Sequence, residues 1–586
     1  MQRTIRGKML RWLSIAAAGT LAGIVANGAQ AATETEQRDL AGQKVEWRSP
    51  DFTTGKTIPL HLLSINDFHS QITAGEEVDG HPVGSAPILA AYLKAAETGG
   101  KETTFILHAG DHVGASQPQS ALLQDEPGIM FFNMLGNDQC RTEGHYGPGC
   151  NLVGIPGNHE LDAGLPEMLR LIRGGNHAQG PYLQDPYKGA NFPYICANLV
   201  QASTGRPLFA PYVVRMVEGV PVGFIGAILH QASSFLTPES LEGLQVLDEA
   251  DTINRYVHEL QTQGVHTIIA VMHQGGFQQT ASETASHASL LGGDIAAIVK
   301  RLDDEVDVVL AGHTHTYHNI LAENNHGKKI LVVQAWPKGT GFADIHLEIS
   351  RASSDVVAMS SSIVTTWADR GPGLKPDIQV AALMNRVEDM GNAIAEQVIA
   401  NASRPITRAT NKAGESALGD LIADAQRKAM GTDFAFMNSE GIRADLAPGS
   451  ITKADHYTVQ PDHLNLIKLE LTGRQIYDLL NQQWSNREAE GRFLQVSGLT
   501  YTWDAAKPAG RRIVAVMKDG KLLKPGKVYT VTVNEYLAGG GDDFTVLTKG
   551  ANPVVGPFVA EALIQYVQAQ PQPVNADIES RISRLN

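Results

Sequence analysis

Five times along this chain an apolar, β-branched run breaks into a short polar turn that carries metal-binding side chains. The turns are Asn66-Asp67-Phe68-His69, Gly110-Asp111, Gly157-Asn158-His159-Glu160, Met272-His273 and Gly312-His313-Thr314-His315. The runs ahead of them, at 58–65, 103–107, 152–155, 266–272 and 306–310, have the length and make-up of buried strands. Two more such runs stand at 220–227 and 329–335. Helical spacing separates several of them, as in Ile253, Tyr256, Val257 and Leu260. Strands mixed with helices in this way predict a layered α/β (α+β) fold with buried sheets. In such folds the loops at the strand ends converge, and ligands are gathered there.

The residue types in the turns suit that position. Asp, Asn and His together make a donor set for divalent first-row ions such as Mn²⁺, Zn²⁺ or Co²⁺. An Asp-x-His pair on an extended segment points both side chains to one side. One carboxylate shared by two ions would hold them about 3.5–4 Å apart, the spacing that clamps a phosphoryl group. The stretch 152–162 is the densest, delivering Asn158, His159, Glu160 and Asp162 just past Pro156-Gly157. There an Asn oxygen can ligate, His159 can donate a proton, and Asp162 can orient it.

At 586 residues the chain has room for two domains or more, each with its own core. The first 31 residues read as a cleaved secretory signal. Arg3, Arg6, Lys8 and Arg11 form a basic region, 13–25 an apolar one, and Ala29-Gln30-Ala31 a small-residue cleavage site. A secreted, most simply periplasmic, protein is expected, with no membrane attachment once the signal is removed. Taking those four positive charges from the net −15 leaves −19. Such a surface repels phosphate polymers and anionic membranes, so no nucleic acid partner is expected. A small anionic substrate held by a local cluster of metal and arginine is not excluded. In an oxidising compartment Cys140 and Cys150 are spaced to close a small loop, with Cys196 left as a buried free thiol.

Further on, a Ser-rich stretch at 350–362 and the break Gly371-Pro372-Gly373 precede a helical stripe over 376–399. Val380, Leu383, Met384, Val387, Met390, Ile394 and Val398 lie on it, and the helix reads as a connector. A second α/β unit follows from about 404. It has a helix at 418–430, a strand at 434–438, an amphipathic helix at 473–484, a strand at 528–534 and a glycine loop at 539–542.

The order Asp-x-His, Gly-Asp, Gly-Asn-His-Glu, His, Gly-His-x-His resembles the calcineurin-like metallophosphoesterases. Within them it resembles the secreted 5′-nucleotidase family, which includes periplasmic UDP-sugar hydrolase/5′-nucleotidases. The resemblance covers nearly all of the chain after the leader. It implies a four-layer sandwich with a dimetal centre at 32–372, a linker helix at 373–402 and a substrate-binding domain at 403–586. One metal would be held by Asp67, His69, Asp111 and His315. The other would be held by Asp111, Asn158, His273 and His313, with Asp111 as the bridge. His159 and Asp162 would form the catalytic dyad, Glu160 a support behind them. His108, His112, His230 and His318 are not expected as ligands.

The implied reaction is hydrolysis of 5′-nucleotides, and of UDP-sugars, by in-line attack of water. In the second domain, Asn438-Ser-Glu-Gly-Ile-Arg443 and Asn534-Glu-Tyr-Leu-Ala-Gly-Gly-Gly-Asp542 resemble the family's substrate loops. By that resemblance Arg408, Asn438, Arg443, Gly491, Tyr536 and Asp542 would bind the nucleotide, Tyr536 by stacking on the base and Asp542 through a ribose hydroxyl. The family's Pro-Phe-x-Asn is replaced by Pro461-Asp462-His463-Leu464. A second stacking ring would then have to come from Phe493 or Phe544. The departure leaves open a 2′,3′-cyclic nucleotide phosphodiesterase/3′-nucleotidase on the same metals; the alternative from another class is a secreted nucleoside-binding protein without catalysis.

Overall fold

The computed structural model describes residues 44–586 apart from 51, 54–55, 73–74, 98–102, 141–146, 179, 181, 235, 237–239, 280–289, 461–463 and 486–491. The leader expected at 1–31, Asp462 and Gly491 therefore lie outside the described residues.

The apolar runs form the centres of two six-stranded sheets. The first is ordered Val45–Arg48, Val356–Thr365, Gly341–Ser350, Thr57–Ile65, Thr104–His108, Leu152–Gly154. The second is ordered His318–Glu323, Lys329–Gln334, Val306–Leu310, Thr267–His273, Val220–Ile228, Tyr212–Val217. The last three strands of the first sheet and the middle four of the second are parallel. Because side chains alternate across a strand, each sheet feeds two apolar layers. Leu60, Leu62, Phe105 and Leu107 meet Val222, Phe224, Val271 and Leu310 in the cluster between the sheets. Leu63, Ile65 and Ile106 point the other way, beneath the helices Ala86–Ala96, Glu126–Asn133, Gly164–Arg173 and Ile378–Ala395. Ile268, Ala270 and Met272 face the helices Glu249–Thr262 and Asp294–Arg301 on the far side. The arrangement is helix, sheet, sheet, helix: a four-layer sandwich.

The C-terminal part has a five-stranded sheet, ordered Leu494–Ser497, Phe434–Asn438, Val528–Asn534, Asn465–Thr472, Ala551–Phe558. A four-stranded sheet accompanies it, ordered Lys521–Leu522, Ile513–Lys518, Thr500–Asp504, Ile582–Leu585. The helix Ala417–Met430 is set at both ends by local chemistry. Ser416 Oγ accepts from Gly419 N at 3.1 Å, and Gly431 closes it at φ 61°. Leu418, Leu421 and Ile422 of this helix pack with Leu563 and Val567 of Val559–Gln568.

Two stretches differ from the reading of the sequence. The Ser-rich segment holds a strand that the sequence did not suggest: Val356–Thr365 is ten residues long, and its buried Met359 and Ile363 alternate with the less buried Ser360 and Ser362. The helical stripe stops at Ala395, and Val398 opens a short strand, Val398–Ala402, paired with Gly449–Thr452. Asp377 starts that helix by accepting from Gln379 N and Val380 N, both at 3.0 Å. Its buried residues Val380, Leu383 and Val387 belong to the apolar layer of the first sheet. Among the described residues no helix is long and apolar enough to cross a membrane.

Cys140 and Cys150 are bonded, ten residues apart, and Cys196 is a buried thiol. Burial pushes the Cys196 thiol up to about 11, so it is inert at neutral pH. Closing a loop of that length restricts the unfolded chain by roughly 3 kcal/mol. The Cys140→Ser/Cys150→Ser variant should lose about that much in denaturant unfolding while Cys196→Ser loses little. Equal stability of the double variant and wild type would mean that loop closure contributes nothing.

Candidate dimetal site

Every expected donor sits where a strand of the two sheets ends. Thr57–Ile65 leads to Asp67 and His69, Thr104–His108 to Asp111, and Leu152–Gly154 to Asn158. Thr267–His273 ends on His273 itself, and Val306–Leu310 leads to His313 and His315. Beyond the strand ends the loops go on pairing, with Asp67 N donating to Gly110 O at 3.1 Å and His69 N to Asp111 O at 3.0 Å. The backbone bends hard to turn the donors inward. Asp67, His69, Asp111, His313 and His315 have φ of 49°, 50°, 53°, 74° and 54°. Left-handed backbone at a non-glycine residue is unfavourable by about 1–3 kcal/mol each, and its concentration at donors is the mark of a functional site.

Donor atoms converge in two overlapping groups. His69 Nε2 lies 2.9 Å from His315 Nε2, and His315 Nε2 lies 3.6 Å from Asp67 Oδ1. Asn158 Oδ1 lies 3.1 Å from both His273 Nε2 and His313 Nδ1, with Asp111 Oδ2 3.2 Å from His273 Nε2. Asp111 stands in both, since its Oδ2 is also 4.0 Å from His69 Nε2.

The surroundings set the ring states that a metal needs. His69 Nδ1 is 2.8 Å from Gly114 O, and His273 Nδ1 is 2.8 Å from Ala109 O. A carbonyl can only accept, so each Nδ1 carries a hydrogen and each Nε2 is left to coordinate. Burial, and then the neighbouring His315, hold His69 well below the usual imidazole range. Burial and His273 push His313 down to about 3. Against its burial, His273 is raised to about 9 by the Asp111 carboxylate. Asp67 is raised by burial, whereas Asp111 is held well below the carboxylate range, burial being overcome by His273 and His159. An anionic, doubly approached Asp111 beside the neutral rings of His69 and His313 suits divalent cations, while His273, raised by Asp111, would give up its Nε2 proton to bind one.

His159 and Asp162 stand beside these groups. His159 Nδ1 is 2.7 Å from Asp162 Oδ2, and the His159 ring meets that of His69 edge-on at 5.1 Å. Burial opposes charge on His159, but Asp162, then Asp111, raise its pKa to about 10. Glu160 faces backward. Its buried carboxylate accepts from Gly157 N at 2.5 Å, His112 N at 2.7 Å and Asp111 N at 3.1 Å, tying two donor loops together. His108 and His112 stack at 3.5 Å behind that carboxylate, His230 is exposed, and His318 is buried in a strand, so none joins the donors. Asn66 escaped the reading of the sequence. Its Nδ2 donates to Asp67 Oδ2 at 2.7 Å while its Oδ1 accepts from Ala335 N at 2.9 Å, fixing Asp67. Its place beside Asp67 was the one available hint.

In the C-terminal part three of the expected substrate residues meet. Asn438 Nδ2 donates to Asp542 Oδ2 at 2.9 Å, and Tyr536 Oη donates to Asp542 Oδ1 at 3.1 Å. Tyr536 is 47% exposed, leaving ring surface for a ligand. Arg408 Nη1 donates to Ile442 O at 3.1 Å, which places it next to exposed Arg443. Phe544 is 1% exposed inside the core, so it is corrected as a stacking candidate. Phe493 packs on Trp503 and Trp484 at 5.6 and 5.8 Å. Arg492 is an addition that the sequence did not suggest: its Nη1 lies 3.8 Å from Asp542 Oδ1 and 3.4 Å from Asp543 Oδ2.

A four-layer sandwich with Asp, Asn and His gathered at its parallel strand ends defines the metallophosphoesterase class. Residues 60–317 match the calcineurin-like phosphoesterase family, and 394–549 match the 5′-nucleotidase C-terminal domain. The chain belongs to the 5′-nucleotidase family of calcineurin-like phosphoesterases. It is 35% identical over 555 residues to endonuclease YhcR of Bacillus subtilis, covering 93% of this chain but 42% of that protein. The cell wall protein Lmo0130 of Listeria monocytogenes is 31% identical over 552 residues, covering 88% of this chain and 67% of the other. Among solved structures, the 5′-nucleotidase precursor of Thermus thermophilus superposes with a TM-score of 0.58 at 28% identity, covering 90% of this chain and 99% of the other. This chain thus spans less than half the length of the Bacillus protein.

Proposed function

We propose that the chain is a secreted phosphomonoesterase that uses two divalent ions to hydrolyse 5′-nucleotides, with UDP-sugars as further substrates. The observation that carries this reading is the His159–Asp162 hydrogen bond of 2.7 Å standing beside two converging donor groups. In this reading Asp67, His69, Asp111 and His315 hold one ion, and Asp111, Asn158, His273 and His313 the other. When bound, such a pair lowers the pKa of an attacking water and neutralises phosphoryl oxygens. What the chain itself must then supply is a proton and an orientation. Asp162 fixes the His159 ring through Nδ1–H, leaving Nε2–H to stabilise charge on the leaving oxygen. Tyr536 offers a face to the base, where stacking is worth about 1–3 kcal/mol. Asp542 takes the ribose, Asn438 holds Asp542, Arg408 and Arg443 meet the phosphates, and Gly491 gives a backbone contact.

The corresponding division is a signal at 1–31, a catalytic unit at 32–372, a connector at 373–402 and a substrate unit at 403–586. The connector helix packs on the first sheet's apolar layer, so in this division any hinge lies beyond Ala395.

A second reading, a phosphodiesterase on the same ions, is favoured by Pro461-Asp462-His463-Leu464 and by the identity to a protein named an endonuclease. The net charge of −15 opposes a polynucleotide substrate but not a cyclic mononucleotide. The deciding experiment strips the purified mature protein with EDTA, restores Mn²⁺ or Co²⁺, and follows AMP, UDP-glucose, 2′,3′-cyclic AMP and single-stranded DNA in parallel. Metal-restored phosphate release from AMP is the expected result. Turnover of the diesters alone would replace the monoesterase reading, and silence on all four with a generic aryl phosphate would remove the enzyme.

A further inference from the structure

The strand that delivers Asp67 carries another histidine, His61, six residues earlier. Along an extended strand that is about 20 Å from the dimetal donors, so the two groups cannot share an ion. His61 points to the outer face of the first sheet, directly opposite His346 on the antiparallel neighbour Gly341–Ser350. Asp344, two residues from His346, lies on the same face. His61 Nε2 and His346 Nε2 lie 2.7 and 3.1 Å from the same oxygen, Asp344 Oδ1. The rings are stacked at 4.3 Å and 5°. The face opens to solvent gradually, the side chains of His61, Asp344 and His346 being 9%, 25% and 59% exposed.

We infer that His61, Asp344 and His346 form a separate divalent-cation site of the zinc type. Two imidazole nitrogens and one carboxylate oxygen, all within 4.8 Å of one another, match a zinc donor set with one position left for water. All three donors stand on adjacent strands, which hold them more rigidly than loops do. His61 Nδ1 lies 3.3 Å from Thr104 Oγ1 on the next strand, a hydroxyl able to accept Nδ1–H when Nε2 binds the ion. Across the sheet His346 and Asp344 are paired with Ser360 and Ser362, small side chains that leave the approach open. The cation would take the place of the contacts that now join each Nε2 to Asp344 Oδ1. The exposed His346 ring tilts out of the stack to bring both lone pairs to one point. Bound there, the ion ties the strand that carries Asp67 to its neighbour.

The test is equilibrium dialysis of the mature protein against buffered Zn²⁺, counting zinc per folded chain, with thermal unfolding alongside. Wild type should exceed both His346→Ala and Asp344→Asn by one zinc per chain, and zinc should raise the wild-type Tm more than theirs. Phosphate-ester turnover should be the same in all three. The comparison is a difference, so it holds whatever number of ions the catalytic loops bind. Should His346→Ala fold poorly, His346→Gln keeps a side chain of similar reach without the ring. Equal zinc counts in folded wild type and variants would overturn the site and leave a hydrogen-bonded triad.

Discussion

His159→Ala should lower kcat for AMP by about 10²–10⁴-fold while the metal content stays that of wild type. The side chain is 30% exposed and held through Nδ1 by Asp162, so its removal opens no core, and in the proposed arrangement it is not among the seven metal ligands. The loss should depend on the leaving group. A nucleoside alkoxide is a poor one and needs the proton, whereas an aryl phosphate expels a stabilised phenolate. The variant should therefore be impaired much less towards the aryl ester. Asp162→Asn keeps an imidazole in place and should cost less, about 10–100-fold, because it disturbs orientation and charge rather than removing the donor. An equal loss on both esters would move the role of His159 from the leaving oxygen to the equatorial ones. A variant at wild-type rate would end its claim to catalysis.

The donor loops were legible because strand ends announce themselves twice, once by an apolar run and again by the polar turn that stops it. The seven candidate donors that the family resemblance singles out lie on those five loops, and the fold brings them within reach of one another. What could not be read was the network behind them. Glu160 receiving three backbone N–H groups, or Asn66 bracing Asp67 against Ala335, depends on loops from distant parts of the chain lying side by side. The strand Val356–Thr365 was missed for a related reason. Serines carry little β propensity, and only the sheet beneath reveals that Met359 and Ile363 face a core. The end of the helix Ile378–Ala395 was misplaced because Val398 keeps the apolar spacing after the chain has turned into a strand. Asp344 and His346 form a local Asp-x-His pair, but His61 lies 283 positions before Asp344, and only cross-strand register joins it to them.

Gly157→Ala should be nearly as damaging as losing a ligand, although it adds a single methyl group. A Cβ at Gly157 would stand 2.0 Å from Asp111 Oδ1 and 2.6 Å from Asp111 N. Neither atom can yield cheaply. The nitrogen is main chain, donating to Glu160 Oε2 at 3.1 Å, and the carboxylate oxygen accepts from His159 N at 3.0 Å. The loop bearing Asn158 and His159 must therefore move off the loop bearing Asp111, by the order of an ångström. A displacement of that size at reacting groups costs about 10²-fold or more in kcat/KM. Metal affinity should fall with it, because Asp111 and Asn158 serve the same ion in the proposed arrangement. Excess Mn²⁺ should then recover only part of the turnover, since saturating the ions does not return His159 to its place. Gly526→Ala is the control: a Cβ there meets no atom within 4 Å, and activity should be unchanged. Full activity and wild-type metal content in Gly157→Ala would show that the site tolerates separation of the two loops, and their close approach could no longer be held to set the positions of Asn158 and His159.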